Sequence, residues 1–145
     1  MAAEKKVMSI DQLDDSKNLD KYKTGGDILR MTYDKLVSVC KSGTSVRTLC
    51  QIGDKLIEKA VDEVYTKKKL KNGKGLAFPT CVSLNNCAGY FSPSDENDVK
   101  LKKGDLVKVE FGVHIDGFPS LMARTFIVED GDDIEDKKKK DNVMK

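Results

Sequence analysis

One segment limits what this chain can fold into more than any other. From Val107 to Ile115 the residues Val107, Val109, Phe111, Val113 and Ile115 alternate with Lys108, Glu110, Gly112 and His114, the period of a strand with one packed and one polar face. Asp116-Gly117 follows, a strong two-residue hairpin signal. Phe118 to Val128 supply the return strand, with Pro119 near its start, where a lost ladder donor is tolerated. The turn fixes the register: Ile115 opposes Phe118, Gly112 opposes Leu121 and Glu110 opposes Ala123. Any fold for this chain must contain that hairpin.

Upstream the period changes to that of helices. From Gly25-Gly26-Asp27 onward, Leu29, Tyr33, Leu36 and Cys40 recur at helical spacing as far as Gly43. After Thr44 or Ser45 as N-cap, one face collects Val46, Leu49, Cys50, Gly53, Leu56, Ile57, Ala60, Val61 and Val64. The opposite face carries Arg47, Asp54, Lys55, Glu58, Lys59 and Asp62. The short link at Gly43-Thr44 makes the two helices antiparallel neighbours or a corner. A basic loop then holds Lys67, Lys68, Lys69, Lys71 and Lys74, interrupted by Gly73 and Gly75, and leads to a strand over Phe78 to Leu84. Pro93 and the polar run Ser94 to Asp98 break the chain before the hairpin.

The flanks have too little apolar material to order themselves. Residues 1–20 read as a flexible tail, 21–128 as the folded unit, and 129–145, with acids from Glu129 to Asp136 and then Lys137 to Lys140, as a solvated linker. With 145 residues the chain is expected to form one domain or part of one, and the missing closing element suggests a piece of a longer protein. No stretch approaches the roughly 20 apolar residues of a membrane span, and the start lacks an apolar signal region, so an intracellular protein with no membrane insertion is expected. Cys40, Cys50, Cys81 and Cys87 show neither C-x-x-C spacing nor histidine partners, which suits free thiols. The net charge of +2 is far from that of a dedicated nucleic-acid binder, so any basic patch must be local.

The polar hairpin face is the first place to look for chemistry. Glu110 and Leu121 share it as diagonal neighbours, roughly 7–8 Å apart at the backbone, a spacing at which two carboxylates could share a metal. One of the two is leucine. Glu110 and His114 share the face as well, but four residues of strand is roughly 13 Å, too far for one ion. Residue type alone favours a Glu110 that faces solvent or pairs with Lys108 or Arg124, a structural His114, and Cys81 and Cys87 as small core residues. The lysines of the basic loop, five in eight residues with no acid between them, can neutralise phosphates by counterion release.

Three separated segments carry a more specific signal: Tyr22-Lys23-Thr24-Gly25-Gly26-Asp27-Ile28, the run Phe78 to Cys87 (FPTCVSLNNC), and the run Gly104 to Gly117 (GDLVKVEFGVHIDG). In that order they resemble the proliferation-associated, ErbB-receptor-binding proteins, non-peptidase relatives of type 2 methionine aminopeptidase, and the likeness spans about residues 20 to 128. The resemblance implies an α/β (α+β) chain forming the N-terminal half of the pita-bread fold, also called the creatinase or methionine aminopeptidase-like fold, with two helices packed on a curved antiparallel sheet. It places Tyr90 where the active aminopeptidases carry a substrate-side histidine. Glu110 falls on the first metal-bridging aspartate and Leu121 on the second, and the remaining ligands of the family lie beyond Lys145. A pseudo-enzyme without a metal or other cofactor is therefore expected.

The same resemblance implies partners: ribosomal RNA, ribosomal subunits or structured RNA, and proteins of the nucleus and cytoplasm, in ribosome biogenesis, translation control and growth regulation. Lys67, Lys68, Lys69, Lys71 and Lys74 are the expected RNA-backbone contacts. Two alternatives stand beside this reading, a metal-dependent methionine aminopeptidase and a protein-interaction scaffold or corepressor without RNA contact. A half fold also leaves one side of its sheet uncovered, so an exposed apolar surface and self-association are expected.

Overall fold

A computed structural model describes residues 15–129. The elements run α1 (Ser16–Val39), α2 (Val46–Glu63), β1 (Lys74–Leu84), a 3-10 turn (Asp95–Asn97), β2 (Leu106–Ile115) and β3 (Phe118–Ile127). The strands form one antiparallel sheet in the order β1-β2-β3. The hairpin has the expected register, with Ile115 opposite Phe118, Gly112 opposite Leu121 and Glu110 opposite Ala123. Asp116 and Gly117 both sit in the left-handed region, at φ +55° and +81°, as the hairpin turn that matches strand twist requires.

Both helices pack on the face that carries Val107, Val109, Phe111, Val113 and Ile115. These five residues are buried together with Leu29, Leu36, Leu49 and Ile57. On α2 the expected apolar stripe is the packed one, and Ser45 is its N-cap, accepting from the Thr48 amide at 3.0 Å. Asp98 reinforces that start by accepting from the Ser45 hydroxyl at 2.6 Å and the Arg47 amide at 2.9 Å. These bonds, the Ser45 hydroxyl first, hold the Asp98 carboxyl below its ordinary value.

The first helix departs from expectation at both ends. It begins at Ser16, within the segment read as tail, and runs straight through Gly25-Gly26. The Asp15 side chain caps it by accepting from the Lys17 amide at 2.9 Å. Contacts distant in sequence hold its polar first turns: Lys21 pairs with Asp116 at 2.7 Å, and Tyr22 meets Phe118 edge to face at 5.5 Å. Gly25 is a packing position, because a Cβ there would lie 2.5 Å from the Ser120 hydroxyl. At the other end the helix stops at Val39, before Gly43, which turns the chain at φ +87°. The remaining tail residues 1–14 and the linker 130–145, with its acids and Lys137 to Lys140, lie outside the described residues.

Strand β1 starts at Lys74 and takes in the end of the basic loop, where the sequence suggested a start at Phe78. Its pairing with β2 shifts between Leu76 and Phe78 and again between Phe78 and Cys81. Pro79 has no amide to give, and the bulge around it leaves the Thr80 amide outside the ladder. Asp54 of α2, assigned by sequence to the exposed face, accepts that amide at 2.7 Å. Among the described residues no helix is long and apolar enough to cross a membrane.

Candidate functional site

The sheet face turned away from the helices carries the positions that the aminopeptidase resemblance singles out. Glu110 is half-buried, and its carboxylate accepts from the Tyr90 backbone amide at 3.2 Å. This bond replaces the expected partners. Lys108 instead reaches the Asn85 carbonyl, at 2.6 Å. Gly89 lets the loop close over Glu110, since a Cβ there would stand 3.2 Å from its Oε2. Cys81 lies directly across the ladder from Glu110. Burial first, and then the Glu110 and Asp54 charges, push the Cys81 thiol up, so it is not a poised thiolate. Cys87 is only half-buried, its Sγ 3.9 Å from the Gly89 carbonyl, so it is less of a core residue than expected.

Leu121 projects from β3 with 66% of its surface exposed. Its Cδ2 and the Phe78 ring converge over Gly112, so that a Cβ on Gly112 would lie 2.7 Å from one and 2.8 Å from the other. An exposed apolar side chain, not a carboxylate, thus stands at the position diagonal to Glu110. Tyr90 points outward, 83% exposed, from a left-handed backbone at φ +59°. His114 keeps a buried Nδ1 without a hydrogen-bond partner, on the same face but apart from Glu110. Among the described residues no group of three or more His, Cys, Asp or Glu side chains could hold a metal ion. Ile127, 58% exposed, extends the apolar character of this face along β3.

The basic loop divides in two. Lys67, Lys68, Lys69 and Lys71 are exposed, and among the described residues no acid stands within ion-pair distance of any of them. Lys74 is different: its Nζ donates to the carbonyls of Val61 at 2.8 Å, Asp62 at 3.3 Å and Val64 at 2.7 Å. A cation on the last carbonyls of a helix satisfies their lone pairs and the negative end of the helix dipole. The side chain expected to touch phosphate is therefore occupied in capping α2. The loop is pinned at its far end as well, where the Asp116 carboxylate accepts from the Asn72 amide at 2.8 Å and its carbonyl from the Asn72 side chain at 3.2 Å. At its near end Tyr65 takes a left-handed backbone, φ +52°, directly after the α2 C-cap. The Lys68 ammonium sits 5.4 Å from the Tyr65 ring centroid. No sequence signal marked Tyr65, because a left-handed residue after a helix is usually glycine or asparagine.

Comparison with known proteins places this geometry. The model of metallopeptidase family M24 matches residues 20–144. This chain belongs to that family. Its two helices and three-stranded antiparallel sheet are part of the family's pita-bread fold. The M24 chain is 41% identical over 125 residues to "Proliferation-associated protein A" of Dictyostelium discoideum, covering 86% of this chain and 32% of the relative. It is 40% identical over 121 residues to "Curved DNA-binding protein" of Schizosaccharomyces pombe, covering 81% of this chain and 31% of the relative. The solved structure of a thermophilic Arx1 superimposes with a TM-score of 0.70 at 28% identity, over 86% of this chain and 32% of that one. The M24 chain thus spans about a third of the length of these relatives.

Proposed function

We propose that this chain is a non-catalytic, methionine aminopeptidase-like protein that binds structured RNA and ribosomal particles. It acts with protein partners in ribosome biogenesis, translation control and growth regulation, in the cytoplasm, nucleus and nucleolus. The observation that carries this reading is the loop of Lys67, Lys68, Lys69 and Lys71, exposed and held in place at both ends. A fixed cluster of exposed cations loses little conformational freedom when it meets a polyanion, and it gains by releasing counterions. The name of the fission-yeast relative, "Curved DNA-binding protein", supports contact with a nucleic-acid backbone. The exposed Leu121 and Ile127 support contact with proteins.

Changing Lys67, Lys68, Lys69 and Lys71 together to alanine is expected to lower affinity for a structured RNA by roughly 10- to 100-fold near physiological salt. The slope of log affinity against log salt should become shallower by about 2 to 3. Filter binding over a salt series reads both quantities, and an unchanged affinity and slope would reject the loop as the RNA site. The non-catalytic half of the reading rests on Leu121, which stands on β3 at the position diagonal to Glu110 and has no oxygen to give a cation. Elemental analysis of the full natural chain incubated with manganese or cobalt is expected to find less than stoichiometric metal, with no cleavage of methionyl peptides. Stoichiometric metal together with turnover would make the protein an aminopeptidase instead.

A further inference from the structure

We propose that the cavity between the first turns of α1 and the basic loop holds one unstacked nucleotide of a bound RNA, its base against the Tyr65 ring and its phosphate on Lys68 and Lys69. This inference rests on the RNA-binding reading and makes it specific: the loop recognises an unpaired position as well as backbone charge. The cavity has a volume of about 220 Å³, and its walls include Lys17, Asp20, Tyr65, Lys68, Lys69 and Leu70. That lies below the roughly 300–1,000 Å³ of sites that enclose a whole cofactor, and it suits a single planar ring system.

Tyr65 and Leu70 are half-buried and give the cavity its apolar surface. Tyr65 is held there by a backbone conformation, φ +52°, that a bulky residue adopts only when its surroundings impose it. The Lys68 ammonium lies over the Tyr65 ring, 5.4 Å from its centroid; an incoming base takes its place on the ring face, and the flexible lysine swings aside to meet the attached phosphate. Lys17 and Lys69 add positive charge to the rim.

The two carboxylates in the wall play different parts. Asp116 is taken up by Lys21 on one oxygen and by the Asn72 amide on the other. The Asp20 carboxylate has no hydrogen-bond partner among the described residues and can accept from the N–H groups of a base edge. It also repels phosphate, which leaves the Lys68–Lys69 side for the backbone. A fully paired duplex keeps its bases stacked and cannot fill this cavity, whereas a bulged or looped nucleotide can.

The test uses the full chain and two RNA hairpins that differ by a single bulged 2-aminopurine, with affinity read by anisotropy and stacking by fluorescence quenching. The bulged RNA is expected to bind about tenfold more tightly, with quenching, as one base stacked on an aromatic ring provides. Tyr65→Gly suits the left-handed backbone; it should erase the quenching and the preference, so that the bulged and the fully paired RNA bind equally. Equal binding of the two RNAs, or a preference that survives in Tyr65→Gly, overturns the nucleotide site and leaves the RNA reading intact. Absence of binding to either RNA overturns both. Tyr65-dependent binding of a free nucleoside monophosphate without any preference for the bulge also overturns the proposal, since the ligand would then be a free nucleotide.

Discussion

Gly53→Leu is expected to lower the folding stability of this chain by about 3 kcal/mol, the upper end of what overpacking a core costs. Gly53 is buried on α2 where the helix backbone meets the bulge of β1. A Cβ there would come within 2.5 Å of the Thr80 hydroxyl oxygen, 2.8 Å of its methyl and 3.0 Å of its Cβ. Thr80 cannot retreat, being fully buried with its amide bound to Asp54 of the same helix. Gly53→Ala is a finer probe, because alanine recovers about 1 kcal/mol of helix propensity while bringing the same first atom into the clash. Urea denaturation should show a net loss of about 1 kcal/mol for Gly53→Ala alone. In a Thr80→Ala background, which removes the two nearest atoms, the same change should be neutral or stabilising. Additivity of the two substitutions to within about 0.5 kcal/mol would show that the close approach is not what selects glycine.

The elements legible in the sequence were those whose signal is local. Val107 to Ile115 alternates strictly and Asp116-Gly117 admits one turn geometry, so strand, face and register followed together and hold residue by residue. The α2 stripe and its Ser45 cap were legible for the same reason. Features that depend on partners far along the chain were misread. Gly25-Gly26 looked like a helix start because glycine costs helix stability, but Gly25 is chosen for its approach to Ser120, which no local pattern encodes. The polar turn Ser16 to Asp20 looked like tail because the groups that hold the neighbouring Lys21 and Tyr22 lie on the hairpin. Lys74 was grouped with the free lysines by composition, whereas strand pairing aims it at the end of α2. In the candidate site, the resemblance singles out Glu110, Leu121 and Tyr90, and the structure adds their surroundings. The bond between Glu110 and the Tyr90 amide and the approach of Leu121 and Phe78 to Gly112 depend on how the 85–91 loop and the β1 bulge fold back.

Asp116→Ala should remove about 3 kcal/mol and Asp116→Asn about half as much, because Asp116 joins three parts of the molecule. Its carboxylate accepts from Lys21 of α1 at 2.7 Å and from the Asn72 amide at 2.8 Å, and its own amide donates to the Gly73 carbonyl at 2.6 Å. The Lys21 and Asp116 side chains are only 14% and 15% exposed, so deleting the acid leaves a largely buried ammonium without its counter-charge. Asparagine keeps an acceptor for the Asn72 amide and tolerates φ +55°, while alanine does neither. The hydrogen bond from Lys21, followed by that from Asn72, holds the Asp116 carboxyl below its ordinary value. A depressed folded-state pKa means the contribution is fully present above the unfolded value, near 3.9, and is lost as pH falls through the folded one. The stability gap between the natural chain and Asp116→Asn should therefore be constant from about pH 5 to 7 and close below about pH 4. Asp98 and Asp105 also have lowered values and titrate in the same window, but they do so in both proteins and cancel in the difference. Amide hydrogen exchange adds the link to binding: in Asp116→Ala, protection at Asn72 should fall, because the far anchor of the basic loop is gone. A loop freed in this way must be ordered again when RNA binds, so affinity should drop although every lysine remains. Unchanged protection at Asn72 would show that the loop is held by Lys74 and Tyr65 alone.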